Sequence, residues 1–207
     1  MLTYTLVADG SSDACLMPIV DWLISSRFPD IAFIGVLAAG LPAARHGLHA
    51  RLSEATRLFP CDILLVHRDA ESGPADMRSS EIAEAMQGIE NRHVPIVPVR
   101  MTEAWLLISQ EAIRRASGNP NGAVPLQLPQ LNRIEHQPDP KAILLRALSV
   151  ASDVGARRRA GLDLHAMRRR VAEYINDFSA LRQFQTFVTF EAQLNAAIEA
   201  VEGRVDP

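Results

Sequence analysis

The sequence predicts an α/β protein in which a mainly parallel sheet is flanked by helices and followed by a C-terminal helical extension. Within residues 1–116, short apolar segments alternate four times with segments of helical periodicity. Such alternation is typical of parallel strands that are joined by right-handed helical crossovers. The continuous apolar run from Ile63 to Val66 suits a strand that is buried on both faces. These observations together favour a Rossmann-like architecture.

The predicted elements follow one another in a regular order. The expected strands cover residues 2–8, 31–38, 63–66 and 94–99, and the expected helices of the core cover residues 12–27, 41–58, 78–90 and 102–116. Pro18 fits the first turns of its helix or marks a later start. Residues 117–140 are rich in Pro and Gly and predict a long loop or lid. Helices are then expected at 140–152, about 163–176 and 179–200, so that residues 141–207 form a helical extension packing on the core.

The composition is that of a soluble globular protein. With 21 Lys and Arg against 24 Asp and Glu, the formal net charge is -3, which argues against nucleic-acid binding over the whole surface but allows a local basic stripe. The two cysteines, Cys15 and Cys61, lie in apolar surroundings without Cys-x-x-Cys spacing and predict reduced thiols. No apolar run reaches the roughly 20 residues of a membrane span, and the N-terminus lacks the basic segment of a signal peptide. We therefore expect a cytoplasmic protein.

Charged side chains recur at the points where the predicted strands end. The residues that follow the first, third and fourth strands are Asp9 and Asp13, then His67, Asp69 and Glu71, then Arg100 and Glu103. Because the carboxyl ends of parallel strands lie at one edge of the sheet, we expect these side chains to meet there. Carboxylates repel one another unless a cation neutralises them. Oxygen ligands favour Mg²⁺, the presence of a histidine favours Mn²⁺ or another transition ion, and the absence of cysteine ligands disfavours structural zinc.

Each acidic residue also has a simpler explanation. Asp13 and Glu103 occupy first turns of predicted helices, where the helix dipole favours a negative charge. Asp69 is compatible with a plain turn residue. The His-Arg-Asp triplet at residues 67–69 matches the kinase catalytic loop, but no Gly-rich loop or downstream metal motif accompanies it. Because all of these residues are placed at strand ends, a shared cation site is favoured over a separate explanation for each of them.

Several of the same residues resemble the motifs of Toprim domains, the Mg²⁺-binding fold of topoisomerases, primases and overcoming-lysogenization-defect nucleases. The stretch Asp9–Asp13 resembles the first Toprim motif, a strand followed by Glu-Gly-x-x-Asp, and residues 64–71 (LLVHRDAE) lie where Toprim proteins have Asp-x-Asp. The segment Val99–Leu107 (VRMTEAWLL) resembles that of an RloB-related, Toprim-like group, several members of which are encoded beside restriction and phage-defence loci. Pro138–Leu148 and Phe184–Phe190 resemble downstream features of that group.

The resemblance implies a metal-dependent phosphodiester hydrolase or phosphoryl-transfer enzyme that acts on nucleic acid, with Mg²⁺ or Mn²⁺ as its cofactor. The candidate metal ligands are Asp13, His67, Asp69, Glu71 and Glu103. Asp9 is the candidate that takes or gives a proton, and Arg68 or Arg100 is expected to hold a non-bridging phosphate oxygen. The candidate residues around the phosphate or cofactor are Gly10, Ser11, Ser12 and Lys141. Lys141 is equally compatible with an ordinary exposed lysine.

Two positions depart from the Toprim pattern. Asp9 stands where the family has Glu, which shortens the reach of the carboxylate by about 1.5 Å, and His67 replaces the first Asp of Asp-x-Asp. Glu71 restores the charge if Asp69-x-Glu71 serves instead. The departures favour an alternative: a catalytically degenerate Toprim-like module that binds a metal or nucleotide and acts as a sensor or partner in a defence complex. A phosphatase acting on a small nucleotide is a third alternative.

Two arginine triplets are candidates for contact with nucleic acid. Their residues are Arg157, Arg158, Arg159, Arg168, Arg169 and Arg170. The triplets are eleven residues apart, close to three helical turns, so they overlie on one face if the helix continues through Gly161. Such a stripe suits a phosphate backbone, but it also suits a solvated face with local pairs to Glu173 or Asp177. The apolar stripe of the last helix seals the core or forms the face of a homodimer.

Overall fold

The computed structural model describes residues 1–71 and 73–203, with the backbone alone for Ser11, Ala44 and Ala156. Its centre is a four-stranded, all-parallel sheet in the order β2-β1-β3-β4. The strands are β1 (Leu2–Val7), β2 (Phe33–Leu37), β3 (Ile63–His67) and β4 (Arg92–Ile96). In register, Leu6 of β1 lies between Leu37 of β2 and Leu65 of β3. The α/β class with a parallel sheet flanked by helices is therefore confirmed.

Nine α-helices lie within the described residues. They are α1 (Met17–Arg27), α2 (Leu48–Leu58), α3 (Ala75–Ala85), α4 (Glu103–Leu106), α5 (Gln110–Ala116), α6 (Pro140–Ala151), α7 (Ala156–Arg159), α8 (Leu164–Glu173) and α9 (Gln185–Glu202). Short 3-10 segments cover Ser11–Leu16, Ala44–His46, Leu131–Arg133 and Ser179–Gln183. No described helix combines the length and the apolar character that crossing a membrane requires.

Several helix bounds differ from the expected ones for local reasons. The first helix begins as a 3-10 segment, and α1 follows with Pro18 in its first turn, where the missing N–H costs nothing. Gly47 has a φ of 86°, a left-handed conformation that stops any helix before α2. The expected helix 102–116 is divided into α4 and α5, because the side chain of Ser109 caps a new helix by accepting from the N–H of Ala112 at 3.1 Å.

The hydrophobic core occupies both faces of the sheet. One face, which includes Tyr4 and Leu65, packs against α1 and against helices from the second half of the chain. The other face, which includes Leu64 and Val66, packs against α2 and α3. The Pro- and Gly-rich segment 117–140 also contributes buried side chains to the first of these clusters. The helical extension and the sheet thus share one core, and side chains of the extension can reach the sheet's carboxyl edge.

The two arginine triplets lie on separate helices. The first belongs to α7, the second belongs to α8, and the chain turns at residues 160–163 between them. The continuous three-turn helix that would align the triplets on one face is therefore not formed. Asp163 accepts from the N–H of Ala166 at 2.8 Å and starts α8 independently of α7.

Candidate functional site

The strand order defines the crevice in which a ligand is expected. From β1 the chain crosses to β2 on one side of the sheet and then returns past β1 to β3 on the other side. In an open parallel sheet, ligands bind outside the carboxyl ends of the strands at such a reversal. The loop that follows β1 contains Asp13, the loop that follows β3 contains Asp69, and the segment that follows β4 leads into Glu103. All three acidic residues are thus placed at one edge.

Asp69 is the centre of this group of carboxylates. Its Oδ1 accepts from the backbone N–H of Thr102 at 3.0 Å and lies 3.5 Å from Nε2 of His67. The pKa of the Asp69 carboxyl group is raised to about 6, chiefly because the group is buried. His67 and the N–H of Thr102 lower this pKa, whereas the carboxylates of Asp13 and Glu103 raise it. Because the interaction between charges falls with distance, Asp13 and Glu103 each lie close enough to Asp69 to act on its charge. We call these three residues the acidic cluster.

Cys15 lies near the same charged groups. This buried thiol lies two residues after Asp13, and burial raises its pKa to about 12. Arg168 lowers the pKa of the thiol, whereas Asp13 and Glu103 raise it. The acidic cluster therefore has a guanidinium from α8 beside it, and the thiol remains protonated and unreactive at neutral pH.

Asp13 and Glu103 each have a partner within the protein. Asp13 is buried, and its Oδ2 accepts from the backbone N–H of Gly10 at 3.1 Å, as a residue that caps the start of a helix does. Glu103 is 4% exposed and forms an ion pair with Arg168, which is 5% exposed. The placement of Arg168 on a basic stripe for nucleic acid is therefore wrong, because its side chain is directed inward from α8 to Glu103.

His67 has both ring nitrogens engaged. Nδ1 lies 3.0 Å from the carbonyl oxygen of Ile96, which can only accept, so Nδ1 bears a hydrogen. Nε2 lies 3.2 Å from Oγ1 of Thr102, a residue that sequence analysis did not single out. Metal ligation through Nε2 therefore requires that the contact with Thr102 be given up. Thr102 precedes α4 at the point where its backbone N–H and its hydroxyl group both reach Asp69.

The exposed side of the crevice is lined by alternating charges. Nε of Arg68 lies 3.2 Å from Oδ2 of Asp9 in an ion pair, and Nη1 of Arg68 donates to Glu81 at 2.8 Å. Arg78 of α3 contacts Glu81 at 2.7 Å and Glu71 at 3.3 Å. Sequence analysis missed Arg78 and Glu81, although their spacing of three residues on a helix is a familiar pattern of ion pairing. Asp9 and Glu71 are thus paired with arginines and face solvent.

The remaining candidate residues are less closely connected to the acidic cluster. Arg100 is half-buried, and no ion pair that involves it is found among the residues that the structure describes. Lys141 is exposed in the first turn of α6, whose start is capped by Asp139 rather than by a ligand. The side chain of Ser12 donates to Asp13 at 3.2 Å, and that of Ser11 lies outside the described part of the chain.

The donors at this edge suit a particular kind of metal binding. Within residues 1–71 and 73–203, no three His, Cys, Asp or Glu side chains are arranged to hold one ion. Mg²⁺ in enzymes is commonly bound by one or two carboxylates together with water and substrate phosphates rather than by a cage of protein ligands. Asp13 and Asp69 provide carboxylates of this kind. An ion at this edge would therefore be held by one or two of these carboxylates and would need further ligands from water or substrate.

Comparison with known proteins adds no further constraint. No family model, no curated protein and no solved structure matches this chain.

Proposed function

We propose that the protein is a metal-dependent phosphodiester hydrolase or phosphoryl-transfer enzyme that acts on nucleic acid with Mg²⁺ or Mn²⁺. The observation that supports this proposal is the acidic cluster, whose three residues follow the neighbouring parallel strands β1, β3 and β4 at one edge of the sheet. Carboxylates crowded in this way are disfavoured until a cation neutralises them. The sequence resemblance to the RloB-related group supports a setting in phage defence.

The residues at the crevice have distinct proposed roles. Asp13 and Asp69 would hold the ion, which would neutralise charge on the phosphate and orient it. Arg68 is the cation best placed to donate to a non-bridging oxygen, since its guanidinium group already lies at the crevice between Asp9 and Glu81. Asp9, whose side chain is 51% exposed, would accept a proton from the attacking water, directly or through a second water.

A cleavage assay tests the catalytic part of the proposal. Single-stranded DNA, duplex DNA and RNA are incubated with the protein in Mg²⁺, in Mn²⁺ and in a chelator. We expect cleavage that requires the cation and that falls by at least about 100-fold in Asp69→Asn and Asp13→Asn. Asp76→Asn is the matched control, because Asp76 is an exposed carboxylate in the first turn of α3. Equal cleavage by Asp69→Asn and Asp76→Asn would contradict the proposal.

A second measurement detects the cation without relying on turnover. The carboxyl carbon of Asp69 is followed by NMR as the pH is varied, with and without Mg²⁺. A cation beside the carboxylate favours its charged form, so the apparent pKa of Asp69 is expected to fall from its value of about 6. An unchanged pKa at saturating Mg²⁺ would exclude Asp69 as a ligand.

The second candidate function is a catalytically degenerate module that binds a metal or nucleotide and acts as a sensor or partner in a defence complex. It is favoured by the neutralisation of Glu103 by Arg168 and by the engagement of both nitrogens of His67. In this case, calorimetry would detect binding of Mg²⁺ or of a nucleotide, whereas no substrate would be cleaved under any condition of the assay.

A further inference from the structure

A cavity lies beside the acidic cluster at the carboxyl ends of β1 and β2. Its volume is about 260 Å³, and we call it the β1–β2 cavity. Its walls come from the loop that follows β1, from the segment that follows β2, and from α2. The residues that decide its chemistry are Ala8, Asp9, Gly10, Ala39, Leu41 and Arg51. Of these residues, only Asp9 has a role in the proposed function.

Arg51 joins the two walls of this cavity. Its Nη1 donates to the carbonyl oxygen of Pro42 at 2.7 Å, and its Nη2 donates to that of Ala8 at 2.8 Å. Its Nε is buried and has no hydrogen-bond partner among the described residues. A buried donor without a partner is unfavourable, so the Arg51 side chain would gain from a ligand acceptor that reaches its Nε. The two bonds to backbone carbonyls also fix the shape of the cavity before any ligand binds.

The walls of the cavity match a small planar heterocycle. Ala39 and Leu41 offer small apolar surfaces, while the carboxylate of Asp9 accepts hydrogen bonds and the guanidinium of Arg51 donates them. A nucleobase has apolar faces and an edge with both donors and acceptors. The volume of about 260 Å³ lies just below the roughly 300–1,000 Å³ of sites for drug-sized ligands, which suits one nucleoside.

The position of the cavity connects it to the acidic cluster. Asp9 and Gly10 line the cavity, and the backbone N–H of Gly10 donates to Asp13. The cavity and Asp13 are thus connected through the same loop. We propose that the β1–β2 cavity binds the nucleoside part of a nucleotide, either a nucleoside monophosphate or the unpaired terminal nucleotide of a strand. Cleavage or transfer of the phosphate rests on the proposed function, whereas binding of the nucleoside does not.

The test is an NMR titration of the ¹⁵N-labelled full chain without divalent metal. The probes are the four 5′-nucleoside monophosphates, the corresponding nucleosides, inorganic phosphate and a short single-stranded oligonucleotide. We expect the amide signals of Gly10 and Gly40 to shift with at least one monophosphate and its nucleoside. Ala39→Trp, which fills the cavity, is expected to weaken that binding at least tenfold. Ala32→Trp is the matched control, since Ala32 is an equally exposed residue near the opposite end of β2.

The possible outcomes separate this inference from the proposed function. Nucleoside binding that persists in Asp69→Asn and is lost in Ala39→Trp supports the cavity even if no cleavage is ever detected. A shift with the oligonucleotide and none with free monophosphates identifies a strand end as the ligand. The inference is overturned if no nucleotide or oligonucleotide shifts Gly40. It is also overturned if inorganic phosphate alone reproduces the shifts, or if Ala39→Trp binds as tightly as Ala32→Trp.

Discussion

The backbone N–H of Glu71 donates to the carbonyl oxygen of Arg100 at 2.8 Å, and both residues have left-handed backbone conformations, with φ of 54° and 61°. This bond continues the pairing of β3 with β4 beyond the end of the sheet, after bonds from Arg68 to Ile96 and from Ala70 to Pro98. A left-handed conformation costs a non-glycine residue about 1–2 kcal/mol. Strain of this kind persists only where surrounding structure enforces it, and it is concentrated at functional sites. The two loops that bear Asp69 and Glu103 are thus fixed to each other.

Replacement of Glu71 by Gly is expected to relieve this strain. Gly adopts a positive φ freely but loses about 0.5–1 kcal/mol through the greater freedom of the unfolded chain, so a net gain of about 0.5 kcal/mol is expected. Glu71→Ala is the control, because it also removes the exposed ion pair with Arg78 but retains a Cβ. Urea denaturation measures the free energy of unfolding. A Gly variant less stable than the Ala variant would contradict the presence of strain.

Arg168→Met is expected to destabilise the protein strongly. It leaves Glu103 buried without its counter-ion, and removal of one partner from a buried pair costs about 3–5 kcal/mol. Arg169→Met is the matched control, since Arg169 is exposed on the same helix and its loss is expected to stay within about 0.5 kcal/mol. The double variant Glu103→Met with Arg168→Met should recover most of the loss. Equal stability of the two single arginine variants would show that the ion pair does not matter.

Divalent cations are expected to substitute for the missing guanidinium group. In Arg168→Met the carboxylates of Glu103, Asp13 and Asp69 have no neighbouring positive charge of the same strength. Mg²⁺ or Mn²⁺ should therefore raise the midpoint of thermal unfolding more in Arg168→Met than in the wild type, because a ligand that binds the folded state stabilises it. NaCl at equal ionic strength controls for screening. Identical shifts in both proteins would argue against a cation at the acidic cluster.

The raised pKa of Asp69 gives stability a pH dependence of known sign. The carboxyl group loses its proton near pH 3.9 in an unfolded chain, about the reference value, but near pH 6 in the folded protein. Between these two pH values the folded state binds more protons than the unfolded chain, so the free energy of unfolding falls as the pH rises. The contribution of Asp69 to stability is therefore complete below about pH 4 and is lost as the pH rises through about 6. Asp69→Asn should abolish this loss, and Asp76→Asn should retain it. Urea denaturation between pH 4 and 7 measures both.

Sequence analysis predicted the alternation of strands and helices because local periodicity determines it. It also predicted that Asp13, Asp69 and Glu103 meet at one edge, because the carboxyl ends of parallel strands share that edge. It did not predict which strand lies beside which. The pairing of Asp9 with Arg68 joins two loops separated by 59 residues, and it depends on β1 and β3 being neighbours. The sequence around either residue contains no sign of this contact.

The inward orientation of Arg168 could have been recognised from the sequence. Leu164, Met167, Arg168 and Val171 are spaced at intervals of three and four residues, the pattern of one helical face. The structure buries Met167, Arg168 and Val171 together. The first of the three consecutive arginines thus interrupts an apolar stripe. Its partner, Glu103, lies 65 residues away and required the folded structure.

The close approach of β2 to β1 at Gly35 leads to the last prediction. Gly35 lies opposite Tyr4, and a Cβ at this position would overlap the end of the Tyr4 ring. Tyr4 is 1% exposed and its hydroxyl group donates to Asp21 at 2.6 Å, so the ring has little freedom to move. Gly35→Ala is therefore expected to cost about 1–3 kcal/mol. Gly155→Ala is the control, because apart from the chain neighbours no atom of the described residues lies within 4 Å of the added Cβ. In a Tyr4→Ala background the cost of Gly35→Ala should largely disappear, and a double-mutant cycle by urea denaturation measures this coupling. An undiminished cost there would show that the backbone of β2, and not the Tyr4 ring, requires glycine.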